Sequence, residues 1–497
     1  MRFTHAGATG VYDERVTARR LRGSASKQAS RLTLGQLWAV VAVAVPGVAS
    51  LGAPLSAIDL AYQIRVGNDT LAGGLVSHDA MTFTASGRQW LDQQWGAQAL
   101  LAGLHRLAAW PGLALGRAAL ISVIFLAVFL GCRATGLTRR KTALLTLASF
   151  AVATSGLGLR PQLFGLALAA VSAWLVADRR RRPRLLLLVP VLVAAWANLH
   201  GTFFVGPLLL GLAWLEGLRA RTPRASRTLV VAAVATAASL LNPFGVRVWS
   251  YVVTLSTNPE IAQGIEEWRP PTVRTVPGAL FFASLLGVGA VLAVQKRPTP
   301  WPTLLGIGTF VVIALYAIRG VSLWAIVVPT LIAPLLADDA EAEPAERRSP
   351  AHAMAAVAVL GLGAVLFARW IGGNDIAPPG GLISDAPQGV TAAMARVLEP
   401  RERVFNEQTW GSWFEFALPD NPVFSDARIE LFPPRVWSDY LSVSQGREGW
   451  EAVLDGWEVD VVAVDRMHQA GLVPLLRESP LWRLVYEGSD GLVFSRA

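Results

Sequence analysis

The chain has 497 residues, of which 53% are hydrophobic and 16% are charged, with a net charge of +9. A soluble globular chain carries about 25% charged residues, so this composition excludes an ordinary soluble domain. The basic residues stand in short clusters between apolar blocks, which indicates membrane topology and not a nucleic-acid partner. The single cysteine, Cys132, excludes an internal disulfide.

Residues 1–35 are polar and basic, and we interpret them as a disordered cytoplasmic tail. After them, apolar blocks of roughly 17–22 residues follow one another, which is the length needed to cross about 30 Å of hydrocarbon. They predict an α-helical polytopic membrane protein with about 11 transmembrane helices within residues 36–371. The candidate spans are 36–58, 113–133, 142–159, 161–177, 184–200, 202–218, 228–245, 277–295, 301–319, 321–337 and 351–371.

The basic clusters set the expected orientation. With the N-terminus inside, alternation of the spans places every basic cluster in an inner loop, as the positive-inside rule requires. The acidic run Asp338 to Glu346 falls inside as well, but acidic residues contribute little to orientation. We therefore expect a multi-pass protein of the cytoplasmic (inner) membrane, with residues 372–497 outside. The inner clusters are Arg139 to Lys141, Arg179 to Arg184, Arg219 to Arg227, Lys296-Arg297 and Arg347-Arg348.

The first outer loop, residues 59–112, is long. It begins at Asp59 and contains two apolar stretches that predict amphipathic helices lying at the membrane interface. Between them lies a polar stretch from His78 to Trp95. An additional span in this loop would reverse the charge pattern of every later loop, so we expect none.

The remaining outer turns are polar for such short connections. Ionisable groups beside hydrocarbon are costly, so several of them on one face indicate a polar cavity. Each turn alone has a simpler explanation, because Arg-Pro and Asn-Pro mark helix boundaries, an arginine at a span end snorkels, and a lone histidine caps or packs. We expect the cavity to be lined by Arg65, Asp92, Asn198, Asn242 and Glu267, together with Arg160, His200 and Arg319.

Carboxylates and arginines in one cavity suit group transfer. A carboxylate, Asp59 or Asp79, can act as general base on an acceptor hydroxyl, whereas Arg160, Arg319 and His200 can hold a departing phosphate. Outside the membrane an activated donor has to be lipid-borne. The sequence has no glycine-rich phosphate loop, zinc-ligand spacing or nucleophile-elbow motif. No cofactor and no metal ligands are predicted, and the need for a divalent metal stays open.

Several motifs resemble the GT-C superfamily of integral membrane glycosyltransferases, and more closely a group of uncharacterised bacterial members. Their first loop has the pattern Asp-Leu-Trp-Trp-His, Gly-Arg-Trp-Ile-Leu, Asp-Pro-Phe-Ser-Phe-Thr-Ala and Trp followed by His-Glu-Trp. The resemblance covers nearly the whole chain. The matching segments are Asp59 to Gln63, Gly67 to Leu71, Asp79 to Ala85, Trp90 to Trp95, Arg160 to Phe164, Trp196 to Gly201, Leu241 to Gly245, Glu267-Trp268, Val404 to Asn406, Trp410-Gly411 and Phe424 to Arg428.

The resemblance implies a polyprenyl-phosphate sugar donor and a catalytic base at the position of Asp59. A cell-envelope glycan, lipid or protein is the implied acceptor. The sequence departs from the group at two places: Tyr62-Gln63 stand where Trp-His is usual, and Gln93-Gln94 replace His-Glu. The second departure removes a glutamate that would have supported catalysis from this half of the loop.

The segment 372–402 is predicted to be a linker with an entry helix, and 403–497 a small extracytoplasmic α/β domain. Strands are expected at 403–407, 422–426, 460–465, 482–486 and 492–495, with helices at 436–445, 449–458 and 470–479. We expect this domain to bind the acceptor or to cover the cavity.

Two other functions stay open. A lipid-linked glycan polymer ligase also works outside the membrane and depends more on Arg and His. The second alternative is a non-enzymatic function, as an envelope lipid or polymer transporter or as a scaffold. A transporter would be expected to carry charged residues in the middle of its spans and paired repeats, and the sequence has neither.

Overall fold

The computed structural model describes residues 31–257, 266–295, 298–337, 346–374 and 377–497. The predicted tail up to residue 30, the basic pair Lys296-Arg297 and most of the acidic run after Asp338 lie outside the described residues.

Helices make up most of the first three quarters of the chain. Six helical stretches among the described residues are long and apolar enough to cross a membrane, judged by length and composition, and four shorter apolar helices accompany them. A helix overlaps each of the 11 expected spans, but the number that cross a membrane remains a prediction. The helices are α1 Leu34–Leu51, α2 Ala57–Gly73, α3 Trp95–Ala134, α4 Arg139–Ala153, α5 Pro161–Ala177, α6 Leu188–Trp196, α7 Val205–Arg219, α8 Ala225–Ala238, α9 Arg247–Thr257, α10 Val276–Val294, α11 Trp301–Tyr316, α12 Gly320–Ile332 and α13 Pro350–Ala368.

Local capping explains where several helices begin. Thr33 forms a capping box with Gln36, since each side chain bonds the other residue's backbone N–H. Proline occupies the first position of α5 and of α13, where its missing N–H is not needed. The Ser349 hydroxyl accepts the N–H of Ala351 at the start of α13.

The second half of the first outer loop differs from its expected form. Residues from Trp95 onward form one long helix with the following span, interrupted by non-helical backbone at Ala108 and Ala109. Ala109 has a φ of 48°, a value outside the helical region, and marks the kink; Pro111 follows it. The expected interfacial helix and the span are therefore two arms of one bent helix, α3.

Helices α5 and α12 lie in the centre of the bundle. Every residue of α12 except Leu331 is buried, which is why its sequence is apolar all round. Helix α3 packs against α1, α2 and α5, and α12 packs against α4, α5 and α11. The residues that precede α5 and α12, Arg160 and Arg319, are consequently held close to each other at one end of the bundle.

A four-stranded sheet forms the centre of the C-terminal region. Its strands are β3 Val404–Asn406, β4 Val461–Val464, β5 Trp482–Gly488 and β6 Gly491–Arg496, in the order β3-β4-β6-β5. β3 and β4 are parallel, and the other pairings are antiparallel. Residues 422–426 do not form a strand of this sheet, since Val423 makes only isolated bridges with Val404 and Thr82. Helices α14 Gln388–Val397, α15 Gly411–Ala417, α16 Pro434–Ser444, α17 Trp450–Gly456 and α18 Leu472–Glu478 surround it.

The C-terminal region is tied to the first outer loop by backbone pairing. Phe83 donates its N–H to Val423, and Val423 donates its own to Met81. A short parallel pair joins β1 Leu55–Ser56, directly before α2, to β2 Ile383–Ser384. These contacts place the C-terminal region over the start of α2, where Asp59 lies.

Candidate active site between the helices and the C-terminal region

A cavity of about 650 Å³ lies between the helix ends and the C-terminal region. It brings together residues separated by more than 350 positions in the sequence. Of the expected site residues, Asp59, Arg160, His200, Glu267 and Arg319 all line it. Other residues that line it are Tyr62, Gln63, Gln94, Arg117, Gln162, Tyr251, Trp268, Gln408, Thr409, Arg428 and Glu430.

Arg160 joins two carboxylates on the wall of this cavity. Its Nη1 donates to Oδ2 of Asp59 at 2.9 Å, and its Nη2 donates to Oε1 of Glu267. Burial lowers the pKa of Arg160, but the two carboxylates outweigh it and raise the pKa above its usual value. Arg160 is therefore a cation whose charge is already compensated within the chain.

The position of Asp59 does not fit a simple capping role. Ser56 is the N-cap of α2, and Asp59 lies three residues further, in the first turn. A carboxylate there is favoured by the helix dipole, but the Asp59 side chain bonds Arg160 and no backbone N–H of the described residues. Its Oδ1 accepts no hydrogen bond from a described residue, so one oxygen remains available to a bound molecule.

Arg319 differs from Arg160 in having no anionic partner. Its guanidinium carbon lies 4.6 Å from the centroid of the Trp268 ring, a cation–π contact. Its backbone N–H donates to the carbonyl of Glu267 at 3.2 Å, which fixes the arginine beside the Asp59–Arg160–Glu267 group. Within the described ranges, the Arg319 guanidinium forms no ion pair and donates no hydrogen bond, so its charge is available to an anion.

His200 lies between the polar cavity and a second cavity of about 340 Å³. The second cavity has mostly apolar walls, including Leu166, Val312 and Leu323, and it also reaches Arg319. The Nδ1 of His200 accepts the N–H of Thr202, which leaves Nε2 as the protonated nitrogen of the neutral ring. Arg319 and His200 thus mark the point where an apolar groove meets the polar cavity.

The two departures from the first-loop pattern of the GT-C group meet in space. The Gln63 amide donates to the Tyr62 hydroxyl at 2.6 Å and to Oε1 of Gln94 at 3.4 Å. All three side chains line the polar cavity, while the Gln93 amide is held by the carbonyl of Ala197 at 2.9 Å. Neutral amides, those of Gln63 and Gln94, therefore occupy the positions at which the GT-C members have a histidine and a glutamate.

Glu430 extends from the C-terminal region into the same cavity. Burial raises the pKa of its carboxyl to about 7, with smaller contributions from Asp426 and Asp59, although Arg428 opposes the rise. The cavity thus contains two carboxylates paired to Arg160, Asp59 and Glu267, and one carboxyl, Glu430, that exchanges its proton near neutral pH. Such a difference between acidic groups is typical of sites that move protons.

The structure does not bring Asp79 into the cavity. It is buried with Arg428, whose Nη2 lies 2.8 Å from Oδ1 of Asp79 and 3.3 Å from Oε1 of Glu415, and also contacts Asp426. Burial raises the pKa of Glu415, and the neighbouring Asp426 reinforces the rise. Asp79 therefore links the first outer loop to the C-terminal region, a role that the loop sequence alone did not indicate.

Four other expected lining residues also lie outside this cavity. Asp92 is buried behind it and accepts a hydrogen bond from Gln98 at 2.9 Å. Arg65 pairs with Asp69 on the outer face of α2. The amide of Asn242 closes the turn that contains it, by bonding backbone groups at 2.7–2.8 Å. The amide of Asn198 joins separate segments, since its Nδ2 donates to the carbonyl of Leu241 and its Oδ1 accepts from Nε1 of Trp95. Their polarity serves the structure of the turns and the contacts between them.

The sequence did not predict that Tyr62, Gln63, Tyr251 or Glu430 would line the site. Helical spacing could have found the first two, because residues three and four positions after Asp59 share its face of α2. No comparable signal marks Glu430, which reaches the cavity only through the docking of the C-terminal region. In the described part of the chain, no group of three or more His, Cys, Asp and Glu side chains is placed to hold a metal ion.

No protein-family model and no curated protein matches the sequence. The fold, by contrast, is similar to that of solved oligosaccharyltransferase structures, and this likeness agrees with the fold expected from the motifs. The oligosaccharyltransferase AglB from Archaeoglobus fulgidus, in complex with an inhibitory peptide and a dolichol-phosphate, aligns at a TM-score of 0.60 and 13% identity. The alignment covers 92% of this chain and 74% of AglB.

Two further structures have similar folds. The A. fulgidus oligosaccharyltransferase tethered to an acceptor peptide aligns at a TM-score of 0.52 and 13% identity, over 92% of this chain and 74% of that chain. ArnT from Cupriavidus metallidurans bound to undecaprenyl phosphate aligns at 0.48 and 13% identity, over 93% and 97% of the two chains.

Proposed function

We propose that this protein is a glycosyltransferase that moves a sugar from a polyprenyl-phosphate carrier to an acceptor on the outer face of the cytoplasmic membrane. The observation that carries the proposal is the group in which Arg160 pairs with both Asp59 and Glu267, next to an Arg319 guanidinium that forms no ion pair with a described residue. A base and a phosphate site thus share one cavity, at the end of an apolar groove that suits an isoprenoid chain.

Asp59 is the proposed general base. An acceptor hydroxyl attacks the anomeric carbon of the donor sugar, and its proton passes to the free Oδ1 of Asp59. The bond between the anomeric carbon and the phosphate oxygen breaks, and the electron pair leaves with the polyprenyl phosphate. Arg160 holds the carboxylate in position through its hydrogen bond to Oδ2, and a positioned base of this kind contributes typically about 10²–10⁴-fold to the rate.

Arg319 is the proposed partner of the departing phosphate. Negative charge grows on the phosphate oxygens as the bond to the sugar breaks, and a fixed cation in a water-poor site stabilises that charge. Arg319 is better suited to this role than Arg160, because its guanidinium forms no ion pair with a described residue, whereas Arg160 bonds both Asp59 and Glu267. His200 supports the phosphate by donating from Nε2 at the junction of the two cavities.

The similarity to AglB supports a lipid-phosphate ligand, since that protein was observed with dolichol-phosphate and a peptide. The C-terminal region supplies Glu430, Gln408 and Thr409 to the cavity wall facing the helices. We assign these residues to the acceptor. A cell-envelope glycan, lipid or protein with a free hydroxyl suits a surface of carboxyl, amide and hydroxyl groups.

The proposal is tested with the purified full-length protein in proteoliposomes. A panel of radiolabelled polyprenyl-phosphate monosaccharides is supplied with a bacterial cell-envelope extract as acceptor, and loss of label from the lipid phase is measured. We expect one donor to be consumed, and the Asp59→Asn protein to fail with the same donor. Saturable binding of undecaprenyl phosphate without turnover of any donor would favour the transporter or scaffold alternative.

A further inference from the structure

A third cavity lies at the opposite end of the helix bundle. Its volume is about 440 Å³, and helices α3, α5, α7, α11 and α12 contribute to its walls. Arg160 and the first arginine of this cavity, Arg179, stand just beyond the two ends of α5. The 17 residues of α5 rise about 25 Å, so this cavity and the Asp59 cavity are nearly one membrane thickness apart.

The cavity combines apolar walls with arginines at its mouth. The walls include Leu209, Leu212, Leu331 and Leu335 from α7, α12 and the turn after α12. Arg179, Arg180 and Arg181 line the mouth, and Glu216 is the single carboxylate among the lining residues. Two positive charges therefore remain uncompensated beside a surface that excludes water.

The ion pairs of these arginines show how the charge is arranged. Glu216 accepts hydrogen bonds from both Arg179 and Arg180, with Oε1 lying 2.6 Å from Nη2 of Arg180. Arg181 forms no ion pair with a described residue, and its closest bond, to the carbonyl of Arg133, is long at 3.5 Å. The side chain of Arg179 is only 16% exposed. A buried cation beside hydrocarbon is costly without an anion, and Glu216 already supplies that anion to Arg179. The surplus positive charge of the cavity therefore lies at Arg180 and Arg181.

We propose that this cavity binds the head group of an anionic phospholipid. A phosphodiester carries one negative charge and accepts forked hydrogen bonds from guanidinium groups, which suits Arg180 and Arg181. The acyl chains of the same molecule cover the leucines of the wall. Basic pockets between helices at the cytoplasmic side of a membrane bind such head groups elsewhere. The site is separate from the proposed reaction and lies at the face where we expect the cytoplasm.

An ordinary topology cluster does not explain the arrangement. Arg219, Arg221, Arg224 and Arg227 belong to the same predicted inner face, but their side chains are exposed and do not line this cavity. They satisfy the positive-inside rule without contributing to it. Arg227 therefore provides a matched control, with the same charge on the same face.

The test uses the full-length protein after its lipids have been removed in a neutral detergent. The protein is then titrated with phosphatidylglycerol or phosphatidylcholine, and the number of bound lipid molecules is measured by native mass spectrometry. We expect one phosphatidylglycerol to bind with at least about tenfold preference. The Arg180→Gln/Arg181→Gln double variant should lose that preference, and Arg227→Gln should keep it. Undiminished binding of undecaprenyl phosphate shows that the double variant is folded.

Three outcomes would overturn the proposal. Equal binding of the two lipids to the unmodified protein would show that the cavity does not select charge. An equal loss in Arg227→Gln would assign the effect to general surface charge. Displacement of phosphatidylglycerol by millimolar inorganic phosphate would assign the site to a soluble anion and not to a lipid.

Discussion

Replacing Arg319 by glutamine tests the phosphate site. In the structure the carbon of this guanidinium lies 4.6 Å from the centroid of the Trp268 ring, and the guanidinium donates no hydrogen bond to a described residue. Its removal therefore breaks no ion pair with a described residue. A charge-assisted hydrogen bond to a phosphate contributes about 1.5–3 kcal/mol, so one lost contact should weaken binding by about 10- to 150-fold.

The assay is equilibrium binding of undecaprenyl phosphate, with undecaprenol as the uncharged comparison. Arg319→Gln should weaken binding of the phosphate and leave binding of the alcohol unchanged, because the apolar groove is intact. Arg65→Gln, which removes an arginine paired with Asp69 on the surface of α2, is the control and should change neither. Equal loss for phosphate and alcohol, or no loss for either, would refute the assignment of Arg319 to the phosphate.

Three further predictions concern stability and topology. Burial raises the pKa of the Asp92 carboxyl to about 7, so the folded chain holds a proton that the unfolded chain releases above about pH 4. The free energy of unfolding should therefore fall as the pH rises from about 4 to 7. In thermal unfolding, Asp92→Asn should reduce this dependence on pH. Arg428→Met leaves Asp79 and Asp426 buried without their cation, and should destabilise the fold by about 3–5 kcal/mol. The melting temperature should be lower at neutral pH and should recover in part in acid. An unchanged melting temperature would contradict the role of Arg428 in linking the first outer loop to the C-terminal region. Reporter fusions after Arg182 should indicate the cytoplasm and fusions after Ala497 the outside, and an outward report at Arg182 would reverse the predicted orientation.

The sequence predicted which residues line the cavity better than it predicted which residues they pair with. Asp59, Arg160 and Arg319 each stand at a helix boundary on the same side of the predicted bundle, so alternation of the spans alone brings them to one face. Their pairing could not be predicted, because it depends on the central positions of α5 and α12. The expectation of a polar cavity therefore agrees with the structure, whereas the ion pair between Asp59 and Arg160 is new.

The residues that the sequence misassigned share a physical cause. A polar side chain in an outer loop can face a cavity, close a turn or pair across a domain contact, and composition does not separate these cases. Asn242 closes a turn, Asn198 bonds Trp95 and the carbonyl of Leu241, and Asp79 pairs with Arg428, which is 349 positions away. Glu430 was missed for the same reason, since only the docking of the C-terminal region brings it near Asp59.

The most direct test of the central claim is the transferase activity of Asp59→Asn. Asparagine keeps the shape of the side chain and can still accept a hydrogen bond from Arg160, so the variant should fold and bind undecaprenyl phosphate normally. Without a base, its turnover should fall by about 10²–10⁴-fold. Asp79→Asn and Asp92→Asn, whose side chains lie outside the cavity, should retain turnover when they are assayed at a temperature below their melting temperatures. Full activity in Asp59→Asn would contradict the carboxylate-base mechanism and favour a ligase that depends on Arg160, Arg319 and His200.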